Sequence, residues 1–258
     1  MKKFTKMLSL ALTAVMLLSL LAACGSSGKT LEEIQKKGTL VIATSPDFPP
    51  FEYLEDGQVV GIEIDILNEI ASRMGVTLDI QQMDFDSVVP GVQAGKFDIG
   101  ASGITANEKR KKNVDFSDAY FLASQAIVVA ADSPIASKAD LEGKKISVQT
   151  GTTAEDFCMQ SGYEVLAFTA NNDAAAALTA GKVDAWVVDN EVALVLAEEN
   201  GLVVLDEAMT SEPYAFAFPK ESQSLVDAFN KILNTMLEDG SVEAIFDNYG
   251  TLYVSPLN

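Results

Sequence analysis

AGKFDIGASGIT, residues 94–105, returns in altered form as AGKVDAWVVDN, residues 180–190. Each copy follows a helix-like run and leads into small or apolar residues, Ile99–Ser102 in the first and Ala185–Val188 in the second. A second pairing joins GTLVIAT, residues 38–44, to GKKISVQT, residues 143–150. One motif opens each unit and the other ends its next α/β step, so the chain reads as two lobes built alike. Between the motifs of the first unit, strand and helix signals alternate. Thr39–Ala43 is a short apolar run ending before Pro46, which marks a buried strand. Apolar residues at 62, 66, 67, 70 and 74 follow helical spacing, and Gly75 stops that helix. Leu78–Gln82 is the next strand, and Asp86 is placed to cap a helix running to Ala94. A β-α-β-α order predicts an α/β protein with largely parallel sheets.

The C-terminal stretch does not fit a simple tandem. Tyr214–Phe218 is strand-like, and two helical runs follow it, Ser222–Leu237 and Ser241–Tyr249. The economical solution is a chain that crosses back, so that these helices pack on the first lobe. Residues 38–122 and 217–258 then form lobe 1, and residues 123–216 form lobe 2. The crossings, near Tyr120–Ala126 and Pro213–Ala217, make a two-strand hinge. Ligands of open α/β sheets sit at the carboxyl ends of the strands, which places a ligand between the lobes.

The N-terminus reads as an address. Lys2, Lys3 and Lys6 precede the 15-residue, mostly apolar run Met7–Leu21, too short for a spanning helix and suited to an export signal. Leu21-Ala22-Ala23-Cys24 resembles a bacterial lipobox. That resemblance implies a signal peptide at 1–23, cleavage before Cys24 and a lipid on that cysteine, with residues 24–37 as a tether that begins with the flexible run Gly25–Gly28. The folded part is expected outside the cytoplasm, held to a membrane that it does not cross. The whole chain carries a net charge of −19, and loss of the three signal lysines takes it to −22. Such a surface argues against nucleic acid and anionic lipid as partners. With Cys24 lipidated, Cys158 is the remaining thiol and reads as a small core residue. The chain has no histidine, no metal-ligand set and no cofactor motif.

Asp98–Tyr120, DIGASGITANEKRKKNVDFSDAY, carries the chemistry. A strand end leads into Gly103-Ile104-Thr105, and Asn107 is placed to cap a short charged helix bearing Arg110. Open backbone amides, a hydroxyl and a guanidinium in that order make a receptor for a carboxylate. Arginine supplies two parallel hydrogen bonds and stays charged when desolvated.

The order and spacing of several pieces resemble the family 3 solute-binding proteins, the polar amino-acid receptors of bacterial ABC importers. The pieces are Asp47-Phe48-Pro49-Pro50-Phe51-Glu52-Tyr53, Gly61-Ile62-Glu63-Ile64-Asp65, Met83-Asp84-Phe85-Asp86, Gly103-Ile104-Thr105 with Arg110, Val114–Asp118, Gln149–Thr153, and Asp184 with Asp189. The resemblance runs from about Gly38 to Tyr249 and implies a two-lobed, periplasmic-binding-protein-like (type II) fold. It implies that Arg110 clamps the α-carboxylate of a free L-amino acid, helped by Gly103 and Thr105, with Thr152 and Thr153 adding donors from lobe 2. Asp189 would accept from the α-ammonium, and Phe48 and Phe85 would flank the side chain. Asn107 departs from the family, which usually carries threonine there.

Ligand identity rests on fewer residues. Gln149 and Val188 stand where some relatives carry lysine and histidine, so a second ligand carboxylate finds no partner. Ser45, Asp47, Glu52 and Gln149 suit a cationic or amide head group, with basic amino acids ahead of glutamine-like ones. The expected partners are that amino acid, a membrane permease and the lipid anchor, with the receptor itself a monomer. The alternative is a dehydratase on the same fold acting on a cyclic amino acid, for which Glu52 is the candidate acid or base.

Overall fold

The structure, a computed structural model, describes residues 28–256. The signal segment 1–23, Cys24 and the start of the tether therefore lie outside the described residues. Two five-stranded sheets form the two lobes, and they share one strand order. In lobe 1, Thr39–Thr44 lies between Thr77–Gln82 and Ile99–Gly100, all parallel. Ala217–Phe218 then joins antiparallel, followed by Asp115–Phe116 at the edge. In lobe 2, Lys145–Gln149 lies between Glu164–Phe168 and Ala185–Asp189, again parallel, and Gln125–Ala130 joins antiparallel, followed by Leu202–Val204.

The repeated A-G-K-[FV]-D motif does the same work in both lobes. Gly95 and Gly181 take left-handed φ values of 69° and 66° and end the preceding helices. The amides of Lys96 and Lys182 close those ends onto the carbonyls of Gly91 and Ala177. Each aspartate then brackets the strand that lies between the two other parallel strands of its lobe. Asp98 donates its amide to the Val41 carbonyl and accepts from the Val41 amide through Oδ2 (both 2.8 Å). Asp184 does so with Lys145 at 2.7 and 2.8 Å.

The helix Ile62–Met74 runs as its spacing predicts, with Ile62, Ile66, Leu67, Ile70 and Met74 buried and Gly75 capping it. The helix Phe85–Gln93 begins one residue before Asp86. Asp86 thus sits in the first turn rather than at the cap, where its charge still favours the helix N-terminus. The C-terminal helices Gln223–Glu238 and Ser241–Asn248 bury Phe229, Leu233, Met236 and Phe246 with residues of lobe 1. Phe229 meets Phe216 and Phe218 at 5.2 and 5.1 Å, and the Tyr249 hydroxyl donates to Asp65.

Residues 31–37, expected within the tether, instead form a capped helix that buries Ile34 against the lobe 1 core. Lys29 and Lys37 fasten this segment through ion pairs to Asp98. The two chain crossings pair with each other: Phe121–Ala123 runs antiparallel to Glu212–Tyr214. Among the described residues, no helix is long and apolar enough to cross a membrane.

Candidate functional site

Arg110 sits in the four-residue helix Glu108–Lys111, which Asn107 caps by accepting the Arg110 amide at 2.9 Å. That cap fixes where the arginine side chain leaves the backbone. Its Nη1 donates to the Thr105 carbonyl and its Nη2 crosses the cleft to the Gly151 carbonyl, both at 3.1 Å. The guanidinium also lies 5.4 Å from the centre of the Phe85 ring, a cation–π contact. Burial pulls the Arg110 pKa down, while the charges of Asp189, Glu212 and Asp156 act against that. No carboxylate forms an ion pair with this guanidinium among the described residues.

Asp189 ends the lobe 2 strand Ala185–Asp189 and occupies the N-cap position of the helix Asn190–Asn200, yet its side chain makes no capping bond. Its Oδ1 is buried without a hydrogen-bond partner. Burial, first, and the nearby charge of Glu212 push the carboxyl up to about 8, against the pull of the Tyr214 hydroxyl and, less, of Arg110. Arg110 and Asp189 thus act on each other across the cleft without touching.

Phe48 and Phe85, expected to flank the ligand side chain, sit beside Gly103 and Arg110 respectively. Phe48 is buried, and its ring lies so close to Gly103 that a Cβ there would stand 2.4 Å from Phe48 Cε1. Gly103 is required on a second count, its φ of +52°. Phe85 carries the Arg110 guanidinium on its face. Thr105 is buried opposite Tyr214, and its carbonyl orients Arg110.

Other expected roles need correction. The Gly103 amide points back into lobe 1 and donates to Glu63 Oε1 at 3.3 Å, not into the cleft. Glu52 is fully buried in lobe 1 and accepts from the Ser102 hydroxyl at 3.0 Å, so it reaches no ligand. The Thr152 hydroxyl caps the helix Thr153–Gln160 and donates to the Gln149 carbonyl. The donors left at that turn are backbone amides of the helix start. The Thr153 hydroxyl accepts from Gln125 Nε2 at 2.9 Å.

Ser45, Asp47 and Gln149, expected at the ligand head group, are joined in one network that ties the lobes. Asp47 accepts from Ser45 Oγ (2.8 Å), Gln149 Nε2 (3.0 Å) and the Asn171 amide (2.8 Å), and Asn171 Nδ2 donates to Gln149 Oε1. The Asn171 amide opens the helix Asn171–Thr179, so a lobe 1 carboxylate sits at the N-terminus of a lobe 2 helix.

Three residues without a motif of their own complete the site: Gln125, Glu212 and Tyr214. All are buried, and each lies on or beside a crossing strand. Gln125 Oε1 is buried without a hydrogen-bond partner, and the buried Tyr214 hydroxyl faces Asp189. Tyr214 packs its ring at tilted and edge-on angles among Phe48, Phe51, Tyr120 and Phe121 at 5.2–6.3 Å, which holds the hinge against the cleft wall. The only signal for these residues in the sequence is the position of the crossings themselves.

The architecture is the two-lobed fold of periplasmic binding proteins. The chain belongs to the bacterial extracellular solute-binding proteins, family 3, whose description matches residues 40–251. It is 34% identical to the arginine-binding extracellular protein ArtP of Bacillus subtilis, across 92% of this chain and 94% of that one. Among solved structures it resembles an ancestral arginine-binding protein bound to glutamine, with a TM-score of 0.78 and 40% identity over 82% of this chain and 97% of that chain. It also resembles the ancestral amino acid-binding protein AncCDT-1, a precursor of cyclohexadienyl dehydratase. That likeness has a TM-score of 0.81 and 36% identity over 86% of this chain and 99% of that chain.

Proposed function

We propose that this protein is the amino-acid receptor of an ABC importer, that its lobes close on a free basic amino acid, and that arginine is the first choice. The observation that carries this reading is the pairing of Arg110 with Asp189. A guanidinium from lobe 1 and a carboxylate from lobe 2 flank one gap, and neither has an ion-pair partner in the protein among the described residues. A zwitterion satisfies both at once, its carboxylate on Arg110 with the Thr105 side and the Thr152–Thr153 amides, its ammonium on Asp189. Neither half of this receptor is complete while the lobes are apart, so ligands that satisfy both poles select closure.

Charge supports a basic side chain. Asp189 and Glu212 act on Arg110, while Asp156, which acts on it too, is paired with Lys109, so two negative groups face the one guanidinium around the gap. A ligand with an extra positive charge offsets that surplus, whereas an acidic ligand adds to it. The names of the relatives, arginine-binding among them, agree. Phe48 and Phe85 are the flat surfaces on which an extended side chain lies.

The reading extends to a chain anchored by lipid on Cys24 that delivers its ligand, as a monomer, to a membrane permease. Binding without turnover is the activity. The dehydratase alternative loses its candidate acid, because Glu52 is enclosed in lobe 1.

Titration calorimetry of the mature chain against the twenty standard amino acids tests the proposal. The expected result is tightest binding of arginine, weaker binding of lysine or glutamine, and none of aspartate. Failure to bind any α-amino acid overturns the receptor reading, and a preference for glutamate overturns the charge argument. Metabolic labelling with a palmitate analogue, lost in Cys24→Ala, tests the anchor.

A further inference from the structure

Behind the cleft wall lies a pair of carboxylates that ligand binding does not use. Glu52 and Glu63 are both fully buried, one in the strand Glu52–Glu55 and one in the first turn of the helix Ile62–Met74. Each has one oxygen engaged. Glu52 Oε1 accepts from the Ser102 hydroxyl, whose own oxygen accepts from the Ser45 amide. Glu63 Oε1 accepts from the Tyr120 hydroxyl in a short hydrogen bond and from the Gly103 amide. The second oxygen of each, Glu52 Oε2 and Glu63 Oε2, is buried and has no donor. The two side chains lie within hydrogen-bonding reach of each other, so these carboxylates cannot both stay charged, and a single proton between them satisfies both.

We propose that Glu52 and Glu63 share one proton, and that this bonded pair is the positioning device that holds the Gly103 turn and the Phe48 ring at the wall of the ligand cleft. The proposal rests on the receptor reading for its second half only. The pair reaches the cleft by two short routes, through the Gly103 amide to the loop against Phe48, and through Ser102 to the Ser45 amide at the loop's other arm. The groups that face the pair are Tyr120, Ser102, the Gly103 amide and Asp47. None is a cation, and Asp47 adds negative charge toward Glu52. Burial, first, raises both carboxyls; Glu63 is pushed up to about 7, and Glu52 lies well above its ordinary range. Raised values on both mean that the bonded pair is intact at low pH and is lost as pH climbs through them.

Carbon-detected NMR of glutamate Cδ in the ligand-free chain reads the proton directly, because aspartates such as Asp189 do not contribute. One glutamate carboxyl is expected to remain protonated at pH 7, and Glu52→Gln, whose amide replaces the shared proton, should abolish that signal. The amide resonance of Gly103 should move with this titration in the parent chain and stay fixed in Glu52→Gln. Arginine affinity of Glu52→Gln should stay within about threefold of the parent, while Glu63→Ala, which strands the Gly103 and Tyr120 donors, should lose tenfold or more. If both glutamates are ionised at pH 6, the shared proton is refuted. A Gly103 amide indifferent to the titration, or a folded Glu63→Ala with parental affinity, refutes the positioning role. Absence of binding by the parent chain would instead refute the receptor reading and leave the NMR outcome to decide the proton.

Discussion

The proposed receptor turns on Arg110 and Asp189, and their settings predict different failures. Removing either from a closed site strands the opposite pole of the ligand, at about 3–5 kcal/mol, so Arg110→Ala and Asp189→Asn should each weaken arginine binding by roughly two to three powers of ten. Calorimetry on variants with parental circular dichroism measures this, and a loss under tenfold would remove the residue from the site. Asp189 adds a pH signature. Its carboxyl is pushed up to about 8 in the ligand-free closed form, so that form binds a proton that the unfolded chain releases near pH 4. That contribution to stability is therefore present at low pH and is lost as pH rises toward 8. A ligand ammonium placed beside Asp189 reverses the preference and expels the proton. Arginine affinity should accordingly climb with pH from about 6 toward 8, approaching tenfold per unit, with proton release visible in buffers of different ionisation enthalpy. Asp189→Asn should flatten the profile, and an unchanged affinity in the parent would contradict the role assigned here. The positions of Arg110, Thr105 and Asp189 were legible because each lies at or shortly after a strand end or cap that sequence spacing locates. Those of Gln125, Glu212 and Tyr214 were not, because they act only after two distant crossings pair.

At the scale of elements, the repeated aspartate and the helix-ending glycines explain why two lobes could be read from one chain. The same backbone accounting, a strand amide and carbonyl both satisfied by one aspartate, recurs in each lobe and leaves a sequence trace. The misreading at Glu52 has a different cause. Glu52 has the polarity of a ligand contact, and polarity alone does not tell whether a group faces the cleft or a buried acid. Helix placement makes its own prediction at Gly61. This residue has φ +128°, and a Cβ there would stand 2.2 Å from the Phe51 carbonyl oxygen. The next two amides, of Ile62 and Glu63, bond the Pro50 and Phe51 carbonyls at 3.0 Å. Gly61→Ala must therefore part the hairpin from the helix that carries Glu63, at a cost above about 2 kcal/mol. Thermal unfolding should show the loss, whereas Gly57→Ala, with φ +78° but nothing within 4 Å, should cost only about 1 kcal/mol. Equal losses at the two sites would mean that the clash relaxes freely.

For the whole molecule, the question is what holds the lobes together before a ligand arrives. Among the described residues, three polar ties cross the cleft: the Lys109–Asp156 ion pair at 2.7 Å, Arg110 on the Gly151 carbonyl, and Asp47 on Gln149 and the Asn171 amide. Their environments rank them. Lys109 is 74% exposed, so its pair is screened by solvent and is worth at most about 1 kcal/mol. Asp47 is half-buried, receives three donors and sits at a helix N-terminus, where charge-assisted bonds are worth about 1.5–3 kcal/mol each. Because Asp47 stands in lobe 1 and two of its donors in lobe 2, that energy acts on closure and not on either lobe alone. Asp47→Ala should therefore open the ligand-free molecule, measured as a longer distance between spin labels placed one on each lobe. It should also lower arginine affinity by tenfold or more, since the ligand must now supply the closing energy itself. Lys109→Ala should change affinity less than fivefold, with the difference vanishing in high salt. If Lys109→Ala opens the lobes more than Asp47→Ala does, closure is governed at the rim of the cleft, and the buried network between Ser45, Asp47, Gln149 and Asn171 serves only to fill space.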